Sequence, residues 1–369
     1  MTLCTASTAV WADTTSARPG TLLRSWKGKG GHPLPDAAEN YFVNYTSTSV
    51  NGKTTTVSGQ VAIPASPVPA GGYPVIGWAP GTTGMGSRCA PSNFPSHIAS
   101  LNEWVKRGYA VLRTDYEGWG DNARRPLLNQ RSNADAAVNL VIATRSVSDK
   151  LGRAWMVMGH SEGGGAALWA AALGPEAAKG CALKGAIALA PVGPGVLKLI
   201  SDLANGTDTR AAFPLIVPEV AAYLAAATVL GAKASDPAID IDKLVTADFR
   251  PFVEASQTPC ISDPLPKLSL PKAGHYLKSG PSYTRLETFL REQDASSQTL
   301  KLPVFVGQAG SDNFTPTPAT TDEMVRALRS RGASIKLETY PGKNHGEVVA
   351  ASLKDVLAFA SDVFAGRMG

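Results

Sequence analysis

Ala154-Trp155-Met156-Val157-Met158-Gly159-His160-Ser161-Glu162-Gly163-Gly164-Gly165 passes from an apolar run through a glycine-flanked serine into Ala166-Ala167-Leu168-Trp169-Ala170-Ala171, a good helix former. Its pattern predicts a strand, a very sharp turn and a helix. Such a turn forces the serine into unfavourable backbone angles and lifts its hydroxyl clear of the sheet. Gly159 and Gly163 are expected because a side chain at either position would collide with the neighbouring strand and helix. Gly-x-Ser-x-Gly alone is a short pattern that a glycine-rich chain produces by chance. Its place between an apolar strand and an Ala-rich helix is what makes it informative.

The surrounding pattern fits that element. On the amino-terminal side, Tyr41 to Ser49 and Thr54 to Ile63 are β-branched and aromatic runs joined by Val50-Asn51-Gly52-Lys53, a hairpin signal. Val75 to Ala79 and Tyr109 to Thr114 lack polar alternation and suit strands buried on both faces. Ile98 to Lys106 and Ala134 to Arg145 are predicted as helices, the second with Ala134, Val138, Val141 and Ile142 on one face. Beyond the elbow, Gly185 to Ala190 is a strand. Strands alternating with helices at this spacing imply an α/β fold, a doubly wound and mostly parallel sheet.

Between Val192 and about Leu300 the alternation stops. Val196 to Leu203, Val217 to Leu230 and Ile239 to Val253 are predicted helices, and the remainder is rich in Pro, Ser and Lys. The alternation returns with strand Leu302 to Gly307, helix Thr320 to Arg331, strand Ser334 to Thr339 and a last helix from Glu347 to Phe364. The expected organisation is an extended leader over 1–36, a core over 37–194 and 300–369, and a helical cap inserted over 195–299.

A serine hydroxyl needs a histidine to take its proton, and that histidine needs a carboxylate to fix its tautomer. In a doubly wound sheet these partners lie in loops at the carboxyl ends of strands. Of the five histidines, His32 precedes the first strand pair, His97 opens a helix, His160 sits inside the elbow and His275 is in the insertion. His345, in Tyr340-Pro341-Gly342-Lys343-Asn344-His345-Gly346, follows a strand and begins the last helix. Asp312, in Gly310-Ser311-Asp312, follows the strand ending at Gly307, whereas Asp322 and Asp355 fall inside helices. The order Ser161, Asp312, His345 is that of an α/β-hydrolase triad. Two backbone donors are expected to hold the oxyanion: the N–H of Glu162, and that of Thr82 from Gly81-Thr82-Thr83-Gly84, with Thr83 close behind.

Composition narrows the function classes. The 369 residues are 44% hydrophobic and 18% charged, which argues against a disordered chain. The net charge of +5 comes from scattered Lys and Arg, with no stripe for nucleic acid, and no 18-residue apolar run predicts a membrane span. Val10-Trp11-Ala12 before Asp13 has the small-x-small look of a signal cleavage site without a basic region ahead of it, and an exported protein, extracellular or periplasmic, is expected. Cys4, Cys89, Cys181 and Cys260 lack zinc-site spacing and leave both free thiols and disulfides open.

With these residues in hand, the chain resembles the secretory lipase family of α/β-hydrolases over about residues 20 to 369. The resemblance rests on Gly81-Thr82-Thr83-Gly84, Cys89-Ala90-Pro91-Ser92, Asp115-Tyr116-Glu117-Gly118-Trp119-Gly120, the elbow, Gly310-Ser311-Asp312 and the helical insertion. It implies hydrolysis of carboxylic esters, an extracellular location, a cap after the strand at 185–190 and a disulfide from Cys89 to Cys260. One departure stands beside the serine. Relatives often carry Gln where this chain has Glu162, and a carboxylate there opposes an anionic transition state unless it points away or is paired.

The expectation is therefore a serine esterase or lipase acting on a small-molecule or lipid ester. It needs no metal or organic cofactor, binds no nucleic acid, and has transient contact with a lipid interface open to it. The same triad would also serve a peptidase, an amidase or an acyltransferase, and a non-catalytic binding protein of this fold is the remaining alternative.

Overall fold

The computed structural model describes residues 17–28, 30–119, 124–205, 218–264, 268–272, 275–312, 314 and 317–368. The expected cleavage pattern at 10–12, Cys4, Gly120 and the Thr315-Pro316 end of the acid's loop lie outside the described residues.

Nine strands form one sheet: β1 (Leu22–Lys27), β2 (Ala37–Thr48), β3 (Thr54–Pro64), β4 (Tyr73–Ala79), β5 (Ala110–Thr114), β6 (Leu151–His160), β7 (Ala182–Leu189), β8 (Val304–Ala309) and β9 (Ile335–Tyr340). Their order is β1-β2-β3-β5-β4-β6-β7-β8-β9. The first three strands run antiparallel to their neighbours, and from β5 to β9 every pair is parallel. β5 and β8 are buried throughout, as uninterrupted apolar runs in a sheet covered on both faces should be. The hairpin is present, with Gly52 at φ 78° in its turn. The edge strand β1 escaped the sequence reading, because Leu-Leu-Arg-Ser-Trp-Lys is short and half exposed.

Helices α1 (Ile98–Lys106), α2 (Gln130–Thr144) and α3 (Glu162–Leu173) flank the sheet. α1 has the expected bounds, while α2 begins at Gln130 rather than Ala134. The Asn129 side chain accepts from the Ser132 N–H and caps the helix a turn early. Between β7 and β8 come α4 (Gly195–Asn205), α5 (Pro218–Ser235), α6 (Ile241–Leu244), α7 (Arg250–Ala255) and α8 (Pro281–Gln293). These helices share an apolar cluster separate from the two that sandwich the sheet.

Two expectations are corrected in the carboxyl-terminal half, and one helix is added. The single helix over 239–253 is two, because extended Val245 pairs with Leu277 and interrupts it. α8 lies in the stretch whose only sequence signal is its richness in Pro, Ser and Lys. Pro281 there is a first-turn proline, and Ser282, Leu286, Phe289 and Leu290 face inward. After α9 (Pro318–Ser330), the last helix divides at Ser352 into α10 (Val348–Ala351) and α11 (Leu353–Phe364).

The disulfide implied by the resemblance is formed between Cys89 and Cys260, 171 residues apart, while Cys181 is a free, buried thiol. Beside the bridge, Ile261 donates its N–H to the Thr83 carbonyl at 2.9 Å. The insertion is thus fastened to the Gly81–Gly84 loop. Among the described residues, no helix is long and apolar enough to cross a membrane.

Candidate active site

Ser161 stands between β6 and α3 at φ 58° and ψ −119°, the strained turn expected of it. Three backbone bonds hold it there. Its N–H donates to Leu189 O at 2.9 Å, and its carbonyl accepts from Val192 N at 2.9 Å and Gly165 N at 3.2 Å. A Cβ on Gly159 would lie 2.0 Å from the Gly163 carbonyl, and one on Gly163 would lie 1.9 Å from that of Ala79. The two glycines let strand and helix approach closely enough to form the turn.

Asp312 and His345 occupy loops after β8 and β9, and the sheet's register carries on into them. Gly310 N bonds Tyr340 O and Ser311 N bonds Lys343 O, both at 2.9 Å. His345 Nδ1 lies 2.9 Å from Asp312 Oδ2 and 3.1 Å from Oδ1. The same carboxylate also accepts the Phe314 N–H at 2.9 Å, so it closes its own turn and contacts the histidine at once. Both residues are buried, and His345 shares with Ser161 a cavity of about 190 Å³. A carboxylate on Nδ1 favours the tautomer that carries its proton there, which leaves a lone pair on Nε2.

The Glu162 carboxylate is completely buried and fully partnered. Oε2 accepts from Arg125 Nη2 at 2.7 Å and from Thr82 Oγ1 at 2.9 Å. Oε1 accepts from Asn133 Nδ2 at 2.9 Å and from Leu128 N at 3.1 Å. The charge beside the serine is therefore paired, and the carboxylate fastens the Thr82 loop to the first turn of α3. That places the backbone of Thr82 and of Glu162 on either side of one ionic node.

Arg125 owes its place to the Asp115 loop. Its guanidinium stacks 4.1 Å from the Trp119 ring centroid. Tyr116 Oη donates to Pro80 O at 2.8 Å, just ahead of the Thr82 loop. Asp115 accepts from the Ser92 N–H and hydroxyl, both at 2.8 Å, and from the Ser58 hydroxyl. Burial pushes its carboxyl up from the ordinary range, opposed by those three donors.

Sequence reasoning passed over Arg125, read only as one of the scattered cations. The requirement that a buried Glu162 be paired was the signal that would have singled it out. His160 was likewise set aside as part of the elbow. Its ring lies 4.6 Å from that of His345, and its Nε2 lies 2.8 Å from the His345 carbonyl oxygen. His32 bonds Asn93 O and does not line this cavity. Among the described residues, no cluster of His, Cys, Asp or Glu is arranged to hold a metal ion.

Part of the apolar lining of the cavity comes from Leu127 and Leu128 with Val196 and Leu199 of α4, Leu224 of α5 and Ile261. The helical insertion thus supplies one wall and the carboxyl edge of the sheet the other.

Comparison with known proteins agrees with this architecture. The secretory lipase family model matches residues 93–233, a span holding the Asp115 loop and the elbow. No curated protein matches the sequence. Among solved structures, Candida antarctica lipase A in its closed state superposes with a TM-score of 0.75 at 18% identity, covering 97% of this chain and 85% of that one. The rice cell wall degrading esterase LipA from Xanthomonas oryzae, in a ligand-bound form, gives 0.71 at 18% identity, covering 95% and 98%. The resemblance read from the sequence is borne out over residues 93–233, where the chain matches the secretory lipase family model, and its fold is that of these solved structures, an α/β-hydrolase fold.

Proposed function

We propose that the protein is a serine carboxylic-ester hydrolase that works through an acyl-enzyme, with Ser161 as nucleophile, His345 as general base and acid, and Asp312 as the orienting carboxylate. The observation that carries this reading is the His345 Nδ1 to Asp312 Oδ2 contact of 2.9 Å behind a cavity that His345 shares with the elbow serine. Ser161 Oγ attacks the ester carbonyl and His345 Nε2 takes its proton. The backbone N–H groups of Thr82 and Glu162 receive the oxyanion. Collapse returns the proton to the departing alcohol, and water then releases the acid by the same steps in reverse roles.

The pairing of Glu162 supports this reading, because a neutralised carboxylate leaves its own amide free to favour negative charge. Residues 195–299 would act as a cap over a core of 37–194 and 300–369, and its apolar wall fits the acyl or alkyl part of an ester. Export is proposed from the family likeness and the Cys89–Cys260 bridge, since disulfides persist in oxidising compartments.

The test is turnover of p-nitrophenyl esters by Ser161→Ala. Loss of at least about 10⁴-fold in kcat with an unchanged thermal melt is expected. Turnover within tenfold of the parent would remove Ser161 from the mechanism.

A further inference from the structure

Five aromatic rings stand in a column along the cavity. Trp78 and His97 have centroids 5.6 Å apart, His97 and His160 5.1 Å, His160 and His345 4.6 Å, and Phe314 lies 4.9 Å beyond on His345. The column draws on β4, the start of α1, the elbow and the loops of both other triad members. His160 is its central link. It immediately precedes Ser161, is buried, and brings Nε2 to 2.8 Å from the backbone oxygen of His345.

A carbonyl oxygen only accepts, so Nε2 must carry the hydrogen. Burial, with His97 and His345 alongside, pushes the imidazole well below its usual range, so the ring stays neutral and Nδ1 holds the lone pair. Nδ1 lies on the side of Gly81, where a Cβ would sit 3.3 Å away. The ring is therefore wedged between the Gly81–Gly84 loop and the loop of His345.

We infer that His160 is a positioning residue of the catalytic triad: its Nε2–H bond to the His345 carbonyl ties the loop of the general base to the residue beside the nucleophile. This inference rests on the triad reading. Asp312 fixes how the His345 ring is turned, but not how far its backbone lies from Ser161. The His160 bond sets that second coordinate, and the neutral ring does so without placing a second positive charge against the imidazolium formed during attack.

Two substitutions separate positioning from packing. In His160→Gln the amide nitrogen reaches the place of Nε2, whereas in His160→Asn it stops near that of Nδ1. Misplaced reacting groups cost on the order of 100-fold per ångström. His160→Asn is therefore expected to lower kcat by about 10- to 100-fold with KM within about twofold, and His160→Gln to stay within about fivefold of the parent. The rate at which an aryl phosphonate inactivates Ser161 should follow kcat in both. Melting curves establish that each variant is folded, and His160→Phe replaces His160→Asn should the latter unfold.

Parental kcat in the variant lacking the bond overturns the inference, as do equal losses in the Gln and Asn variants. His345→Ala, assayed in parallel, keeps the two claims distinct. If it turns over, the triad reading fails. If it is inactive while His160→Asn is unimpaired, only the role of His160 fails.

Discussion

At the carboxyl edge of the sheet, Glu162 takes four donors and Asp115 three, and Arg125 is stacked on Trp119. Across the cavity, the interior of the insertion is built from Ala221, Ala222, Ala225 and Ala226 of α5 with Phe249, Phe252 and Leu286. One wall is specified by directional bonds among buried charges, and the other by apolar contact. Hydrogen-bonded ionic nodes hold atoms at fixed separations, as an oxyanion site requires. Apolar packing fixes volume rather than direction and tolerates repacking. Chemistry should therefore be sensitive to the polar wall and chain-length preference to the apolar one.

The largest expected effect attacks the ionic node. Arg125→Met leaves Glu162 buried and unpaired and should cost about 3–5 kcal/mol in urea unfolding. Adding Glu162→Gln should recover more than half of that loss, because the stranded charge is then gone. Additive losses in the double variant would show that the pair is not a coupled unit.

A smaller effect is expected from the opposite wall. Leu224→Trp narrows the cavity beside α5 and should lower kcat/KM for octanoate relative to acetate esters by about tenfold, since each methylene in such a pocket is worth ~1–3 kcal/mol. Acetate turnover should stay within about twofold. An equal loss for both esters would mean that this wall positions the reaction rather than selecting the chain.

A third effect is a dependence on pH. Burial pushes His97 down to about 4, below its unfolded value near 6.5. The unfolded chain therefore binds the proton first, so stability is full above about pH 6.5 and declines as the pH falls towards 4, by at most about 1.4 kcal/mol per unit from this group. His97→Asn keeps a residue that tolerates the φ of 57° and should flatten that decline, measured as unfolding free energy between pH 7 and 5. An unaltered slope would assign it to other groups.

The elbow was legible because it is local. Strand, strained serine and helix follow one another, and the glycines announce the close approach at Gly159 and Gly163. The meeting of Asp312 and His345 was legible through topology, since a parallel sheet admits few loops at its carboxyl edge. Arg125 and Asn133 were not, because four donors from separate segments converge on Glu162 only after folding. The bond from His160 to a backbone oxygen 185 positions away leaves no periodicity to read. The break at Val245 escaped for the same reason, its partner Leu277 lying beyond the window that suggested one helix.

The central claim is that Ser161 is the nucleophile activated by His345. Incubation with an aryl phosphonate followed by peptide mass spectrometry tests it most directly. The account predicts a single phosphonyl adduct on the peptide carrying Ser161, formed at least about 10³-fold more slowly in His345→Ala. An adduct on another residue, or none while ester turnover continues, would contradict it.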